Sequence, residues 1–294
     1  MSPSSVPVVP FANWQPRLNA ACAECALFRN TVVLAETAST QDAEETRDAA
    51  SGTLVTTWRQ TAGRGRFGRN WEDTAIGGVA ATFVVDAQSI ERLALASAVA
   101  AAEACETALG ARVGIKWPND VVVHGRKLAG VLVETRGVSE SRGVSESRGV
   151  PSPRAAYAFI GIGINVAQPR FEGELESRAT SLAMLGAKTD RLDVLCALVA
   201  ALDRALVAAD DVLVAAFLAR DALRGSKALF ATPEGPVEGE VRAVDPMRGL
   251  VVRTDSGDRF LPAFSTSVAE WGGRVVRGSS HLSVATDIPD NARR

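Results

Sequence analysis

Apolar residues along this 294-residue chain recur at two different periods, and the switches between them mark out structural elements. Small and apolar positions over 17–29 predict a short helix, and the run TVVLAE predicts a strand over 31–36. A polar turn, TASTQD, follows. Ser39 or Thr40 is placed to cap a helix over 42–50, with Glu44 and Glu45 in its first turn, where negative charge suits the helix dipole. The β-branched run 53–58 after Gly52 reads as a strand, as does the apolar run 79–85. Residues 89–109 are alanine-rich, with Ile90, Leu93, Ala94 and Ala101 at helical intervals. His124-Gly125 predicts a tight turn between strands over 120–123 and 127–134, and AAYAFIGIGINV rises into a buried strand. Helices dominate 178–224, where Leu192, Leu195, Leu198, Val199, Leu202 and Leu206 repeat on one face.

The texture changes at Gly225. TPEGP, DPMRG and DSGD punctuate five short strands over 226–271, the pattern of a small β-barrel. Between two predicted strands, 136–154 reads RGVSES, RGVSES and RGVPSPR. Such a stretch buries too little apolar surface to offset its ordering entropy, so it is expected to be a floppy loop extending a hairpin.

Composition narrows the function classes. Hydrophobic residues make up 47% and charged residues 22%, enough apolar material for a sizeable core. No apolar run approaches the ~20 residues that span a bilayer; the run 93–102 is interrupted by Ser97 and stopped by Glu103. Pro3, Pro7 and Pro10, with no basic residue before Arg17, do not make a signal peptide, so a cytoplasmic location is expected. Thirty-two basic against thirty-four acidic residues lack the basic excess of a DNA-wrapping protein. Cys22 and Cys25 form a C-x-x-C with no second pair and no histidine at finger spacing, which reads as two buried thiols on a helix. Two histidines, His124 and His281, disfavour Ser-His-Asp hydrolysis and histidine-ligated metal chemistry.

Three segments carry chemistry. Gly63, Gly65 and Gly68 satisfy G-x-G-x-x-G, yet NWEDTAIGG after them has no helical repeat and the intervening positions are cationic. A dinucleotide fold is therefore rejected. Glycines permit a tight loop that presents Arg64, Arg66 and Arg69 to an anion such as polyphosphate, or to a phosphate–carboxylate pair. In KWPND, Pro118 holds Trp117 extended and leaves Asn119 and Asp120 at the strand end. Lys127 opens the return strand near Gly130, which is small enough to let a ligand approach. No Walker-type phosphate loop is present. Finally GIGIN, Gly161 to Asn165, thins a buried strand and ends on an asparagine that caps or binds.

In this order and at these separations, GRGRFGRNW, KWPND, RKLAG and GIGIN resemble the biotin–protein ligases (biotin–[acetyl-CoA carboxylase] ligases) from about residue 32 to about 271. The resemblance implies an α+β fold: a mixed β-sheet catalytic domain flanked by helices, plus a small C-terminal SH3-like β-barrel. The layout it implies is an extension over 1–30, a biotin- and ATP-binding catalytic domain over 31–224, the barrel over 225–275 and a flexible tail over 276–294. By the same resemblance Ser39, Thr40, Gln41 and Gln60 contact the biotin ring. Arg64, Gly65 and Arg66 close over biotin and the phosphates, and Lys127 sits at the biotin carboxylate and α-phosphate. Gly130, Leu132, Gly161 and Gly163 wall the pocket. Arg69, Trp71, Lys116, Asn119, Asp120 and Asn165 join Arg64, Arg66 and Lys127 on the ATP side. The implied catalytic set is Lys127, Arg66 and Asp120, the last orienting or deprotonating the acceptor lysine. Phe67 stands where some members carry a basic residue.

The implied activity is that of an AMP-forming ligase. Biotin's carboxylate attacks the α-phosphate of ATP, giving biotinyl-5′-AMP and pyrophosphate, and biotin then passes to a lysine of a biotin carboxyl carrier protein. Two anions must meet, so the site needs cations, with Mg²⁺ carried by the phosphates and no metal ligand assigned in the chain. A lipoate ligase-like enzyme would activate its acid the same way, but the GRGR loop and KWPND favour biotin. A biotin-responsive repressor is disfavoured, since some thirty residues with four prolines precede the first strand, too few for a winged helix–turn–helix. Neither DNA nor membrane is an expected partner.

Overall fold

Valine-, isoleucine- and threonine-rich runs form a seven-stranded mixed sheet in the computed structural model, which describes residues 8–66, 70–71, 77–137, 156–263 and 265–272. In spatial order the strands are β1 (Asn30–Thr37), β2 (Thr53–Gln60), β5 (Gly78–Asp86), β9 (Ala156–Asn165), β8 (Arg126–Gly137), β7 (Asp120–Val123) and β6 (Gly114–Lys116). β1 and β2 are parallel, joined through the short helix α2 (Glu44–Arg47); the other neighbours are antiparallel. The β7–β8 hairpin turns at His124 (φ 48°) and Gly125 (φ 77°). Two successive left-handed residues match the right-handed twist of the flanking strands, which is why a glycine stands second in this turn.

Side chains alternate across the three central strands. Phe83, Ile160, Ile162, Ile164, Ala129 and Val131 point into the core, beneath helices α3 (Ile90–Leu109) and α5 (Arg191–Val207), with α1 (Trp14–Ala23) packed on α5 and β1. Ser89 starts α3 by accepting from the Arg92 N–H (3.1 Å), and Gly110 ends it in the left-handed conformation (φ 64°). The alanines of α3 let α5 approach closely, and fully buried leucines such as Leu93, Leu195, Leu198 and Leu202 each contribute about 2 kcal/mol.

Helix α6 (Asp210–Leu218) leads to a second, five-stranded antiparallel sheet. Its strands, β10 (Lys227–Thr232), β11 (Gly235–Asp245), β12 (Gly249–Thr254), β13 (Gly257–Pro262) and β14 (Ser267–Trp271), lie in the order β13-β12-β11-β10-β14. Phe230, Val241, Val252 and Leu261 form its buried side.

Three local readings need correction. The helix predicted over 42–50 is the four-residue α2, with no side-chain cap. Thr40 does not cap it, because its N–H goes to the Gln60 Oε1 (2.9 Å) while its carbonyl accepts from the Thr46 hydroxyl (2.5 Å). The first helix begins earlier than predicted, and Cys25 lies past its end rather than on it. The helical stretch predicted from 178 is mostly turns until Asp190, whose carboxylate accepts from the Leu192 N–H (2.7 Å) and opens α5. Both thiols are buried, and burial pushes the Cys22 thiol up to about 12. Most of the hexapeptide repeat and the tail after residue 272 lie outside the described residues. No described helix is long and apolar enough to cross a membrane.

Candidate functional site

Away from the helices, the sheet carries a patch with almost no side chains. Ala80, Gly163 and Gly130 stand in register across β5, β9 and β8, and the next row is Thr82, Gly161 and Leu132. A Cβ at Gly163 would lie 2.5 Å from the Cε2 and 2.7 Å from the Cζ2 of Trp71, and one at Gly130 3.2 Å from the same ring. These glycines therefore let an indole lie flat against the sheet. The patch forms the floor of a cavity of about 540 Å³.

One end is walled by neutral polar groups. Ser39, Thr40, Gln41 and Gln60 are all buried. Thr40 accepts from the Thr82 hydroxyl (2.9 Å) and donates its N–H to Gln60 (2.9 Å), fixing both side chains. The Gln41 amide crosses over Gly161 and donates to Glu134 Oε2 (3.3 Å) and to the carbonyls of Leu132 and Phe159 (both 3.4 Å). Short hydroxyls and amides held this way suit an uncharged ring with its own donors and acceptors.

The other end is cationic. The sheet register puts Lys116 and Gly130 beside Asp120. The Asp120 carboxylate binds Lys127 Nζ (2.6 Å) with one oxygen and Lys116 Nζ (2.9 Å) with the other. Lys127 also lies over the Trp71 ring, 5.3 Å from its centroid. Burial alone would raise the Asp120 pKa; the charges of Lys127 and Lys116 and their hydrogen bonds outweigh it and hold the carboxyl well below the usual range. Such a carboxylate is a poor proton acceptor and a good anchor, leaving a net positive trio. The Asn119 amide donates to the Val131 carbonyl and the Asn165 amide to the Thr180 carbonyl (3.0 Å), pinning the ends of their strands. The Trp117–Pro118 peptide is cis, and the Trp117 side chain is buried.

The arginine loop springs from a two-stranded ribbon, β3 (Gly63–Arg64) and β4 (Asn70–Trp71). A strand, not a helix, follows the glycines, consistent with the rejection of a dinucleotide motif. Arg64 is held by Asp42 (2.6 Å) and Glu134 (2.9 Å). Arg66 lines the cavity, while Arg69 and Phe67 lie outside the described residues. Every other residue that the resemblance assigns to the site lines this one cavity. The sequence reading missed Phe171, Leu175 and Arg178 near α4 (Leu175–Arg178), and also Ser267 to Trp271 of β14. Single residues in a loop or a four-residue helix carry no periodic signal, and β14 belongs to the part read as a separate barrel.

Known proteins place this geometry. The Biotin/lipoate A/B protein ligase family matches residues 33–146. The bifunctional ligase/repressor BirA of Bacillus subtilis (strain 168) is 36% identical over 170 residues, 55% of this chain and 48% of that protein. The chain thus spans about half the length of these curated relatives. The biotin–[acetyl-CoA-carboxylase] ligase of Paracoccus denitrificans is 31% identical over 249 residues, 79% of this chain and 97% of that one. The solved biotin protein ligase from Aquifex aeolicus in complex with biotin and ATP has a TM-score of 0.68 and 26% identity, covering 82% of this chain and 99% of that one. With the glycine floor, the arginine loop and the lysine pair in one cavity, and with a relative matched over nearly its whole length, the chain belongs to the biotin–protein ligase family.

Proposed function

We propose that this protein joins biotin to ATP as biotinyl-5′-AMP and transfers the biotin to a lysine of a biotin carboxyl carrier protein. The observation that carries the reading is the polarity of the cavity: buried neutral donors and acceptors at Ser39–Gln41 and Gln60, cations at Lys116 and Lys127, and an apolar floor between them. A ligand with a neutral polar ring, an apolar chain and a terminal carboxylate fits that order. Its ring meets Ser39, Thr40, Gln41 and Gln60; its chain runs along the Trp71 indole that rests on Gly130 and Gly163, between the walls given by Leu132 and Gly161; its carboxylate reaches Lys127.

The carboxylate then attacks the α-phosphate and pyrophosphate leaves. Lys127 and Arg66 offset the charge of two approaching anions in a site where preorganised cations act most strongly, while Arg64, held between Asp42 and Glu134, anchors the base of the loop. Lys116, Asn119, Asn165 and Trp71 line the nucleotide side, and Mg²⁺ carried by the triphosphate would offset part of its charge. Asp120 keeps the two lysines in place; a carboxyl held that acidic is poorly suited to deprotonating the incoming lysine. The amine attacks the mixed anhydride and AMP departs, while the loop shields the anhydride from water. On the same reading the unit over 31–224 is catalytic, the domain over 225–275 is an SH3-like barrel and the protein works in the cytoplasm.

Purified protein with ATP, labelled biotin and a biotin carrier domain tests this directly. Pyrophosphate release that depends on biotin, followed by label on the carrier, supports the proposal. Equal release with lipoate or octanoate moves the protein to the lipoate branch.

A further inference from the structure

Glu134 lies just outside the cavity, on β8, two residues beyond the floor residue Leu132. Its carboxylate takes the Arg64 guanidinium through two hydrogen bonds (2.9 and 3.1 Å) and the Gln41 amide at 3.3 Å. Both partners line the cavity, one from the arginine loop and one from the turn after β1. Asp42, next to Gln41, grips the other side of the same guanidinium at 2.6 Å. Arg64 thereby bridges the turn and β8, and the hydrogen bonds it donates to Glu134 are the main reason its charge is held even more firmly than usual.

Two-pronged arginine–carboxylate pairs carry geometric information that single contacts lack. Here the information concerns a ring-binding wall. A loop anchored at Arg64 before any ligand arrives fixes that side of the cavity and keeps Gln41 aimed at the polar end.

Resting on the biotin-ligase reading above, we propose that Glu134 is a positioning residue for substrate-ring recognition, acting through Arg64 and Gln41. It touches neither the nucleotide end nor the lysine pair, so its effect falls on one substrate.

The experiment is a steady-state comparison of wild type, Glu134→Gln, Arg64→Ala and the double variant, by pyrophosphate release with biotin and ATP varied separately. Glu134→Gln keeps the size of the side chain and an acceptor for Gln41 but removes the charge that holds Arg64. It is expected to raise the biotin KM about tenfold while leaving kcat and the ATP KM within about twofold. In the Arg64→Ala background the same change is expected to cost less than about threefold, because the partner is gone. Equal effects on both substrates, an unchanged biotin KM, or full additivity in the double variant would overturn the role. Should Glu134→Gln fold poorly, Asp42→Asn, which loosens the same guanidinium, must raise the biotin KM selectively or the proposal falls. A wild type with no biotin-dependent release refutes the ligase reading instead, before any variant is compared.

Discussion

Replacing Asp120 with asparagine isolates the electrostatics of the cationic end. The change keeps shape and removes one negative charge from between Lys116 and Lys127, which contact its two oxygens at 2.9 and 2.6 Å. Ammoniums on opposite oxygens of one carboxylate sit roughly 6 Å apart, and at an effective dielectric of about 20 they repel by about 3 kcal/mol. The side chains of Lys127 and Lys116 are 37% and 20% exposed, so solvent screening lowers the expected loss of stability to about 2 kcal/mol. That corresponds to a fall of about 5 °C in Tm.

The pH dependence has a definite sign. Because the folded pKa lies below the ordinary 3.8, the stabilisation is fully present above that value and is lost as pH falls through the folded value. The gap between wild type and Asp120→Asn should therefore stay constant from about pH 7.5 to about pH 5 and narrow only below about pH 4. Urea unfolding at several pH values measures it. Equal midpoints at neutral pH, or a gap already closing between about pH 7.5 and about pH 5, would show that Asp120 does not hold the lysines.

Lys127→Ala should lower kcat/KM about a hundredfold, roughly 3 kcal/mol of transition-state stabilisation, while exposed Arg126→Ala stays within about twofold; similar modest losses from both would misplace Lys127. Arg66→Ala should release activated biotin, read as carrier-free labelling of an unrelated protein. Full activity with no rise in bystander label refutes the shielding role of that loop. Asp221 concerns stability: burial pushes its carboxyl up to about 6, with partial relief from the Leu223 and Arg224 backbone N–H groups, and its Oδ2 is buried without a partner. A raised folded pKa means stability is lost as pH rises through about 6, by at most about 3 kcal/mol. Asp221→Asn should flatten the stability curve between about pH 4 and about pH 6, and an unchanged slope would assign the effect elsewhere.

Much of this architecture was legible where local chemistry and tertiary packing agree. The His124-Gly125 turn, the alanine-rich α3 and the five strands after Gly225 follow from turn residues and periodicity, and the fold keeps them. The helix after Ser39 failed because Thr40 spends its hydrogen bonds on Gln60 and Thr82, a demand from strands distant in sequence. Gly161 and Gly163 announced a thin strand, but only the register with Ala80, Thr82, Gly130 and Leu132 reveals a floor. Glu134 looked like the polar end of an apolar run; its value lies in Arg64, seventy residues away. Phe171 and Leu175 gave no signal, since an isolated apolar residue in a loop or a single helical turn reads the same whether it faces solvent or a ligand.

The placement of Ser267 to Trp271 on the cavity wall has a consequence for how the chain can be divided. Gly225 is a seam in texture but not in chemistry: the Ser226 hydroxyl, which accepts from the Trp271 indole at 3.2 Å, donates back across it to the Leu223 carbonyl at 2.5 Å. A fragment ending at the seam would retain every glycine, arginine and lysine of the motifs and yet present an open trough in place of a chamber. Expressed as two pieces, the halves would have to find each other before either could enclose a ligand. Closure of the cavity would then report on their reassembly, which makes the small sheet part of the cavity wall rather than an appendage to it.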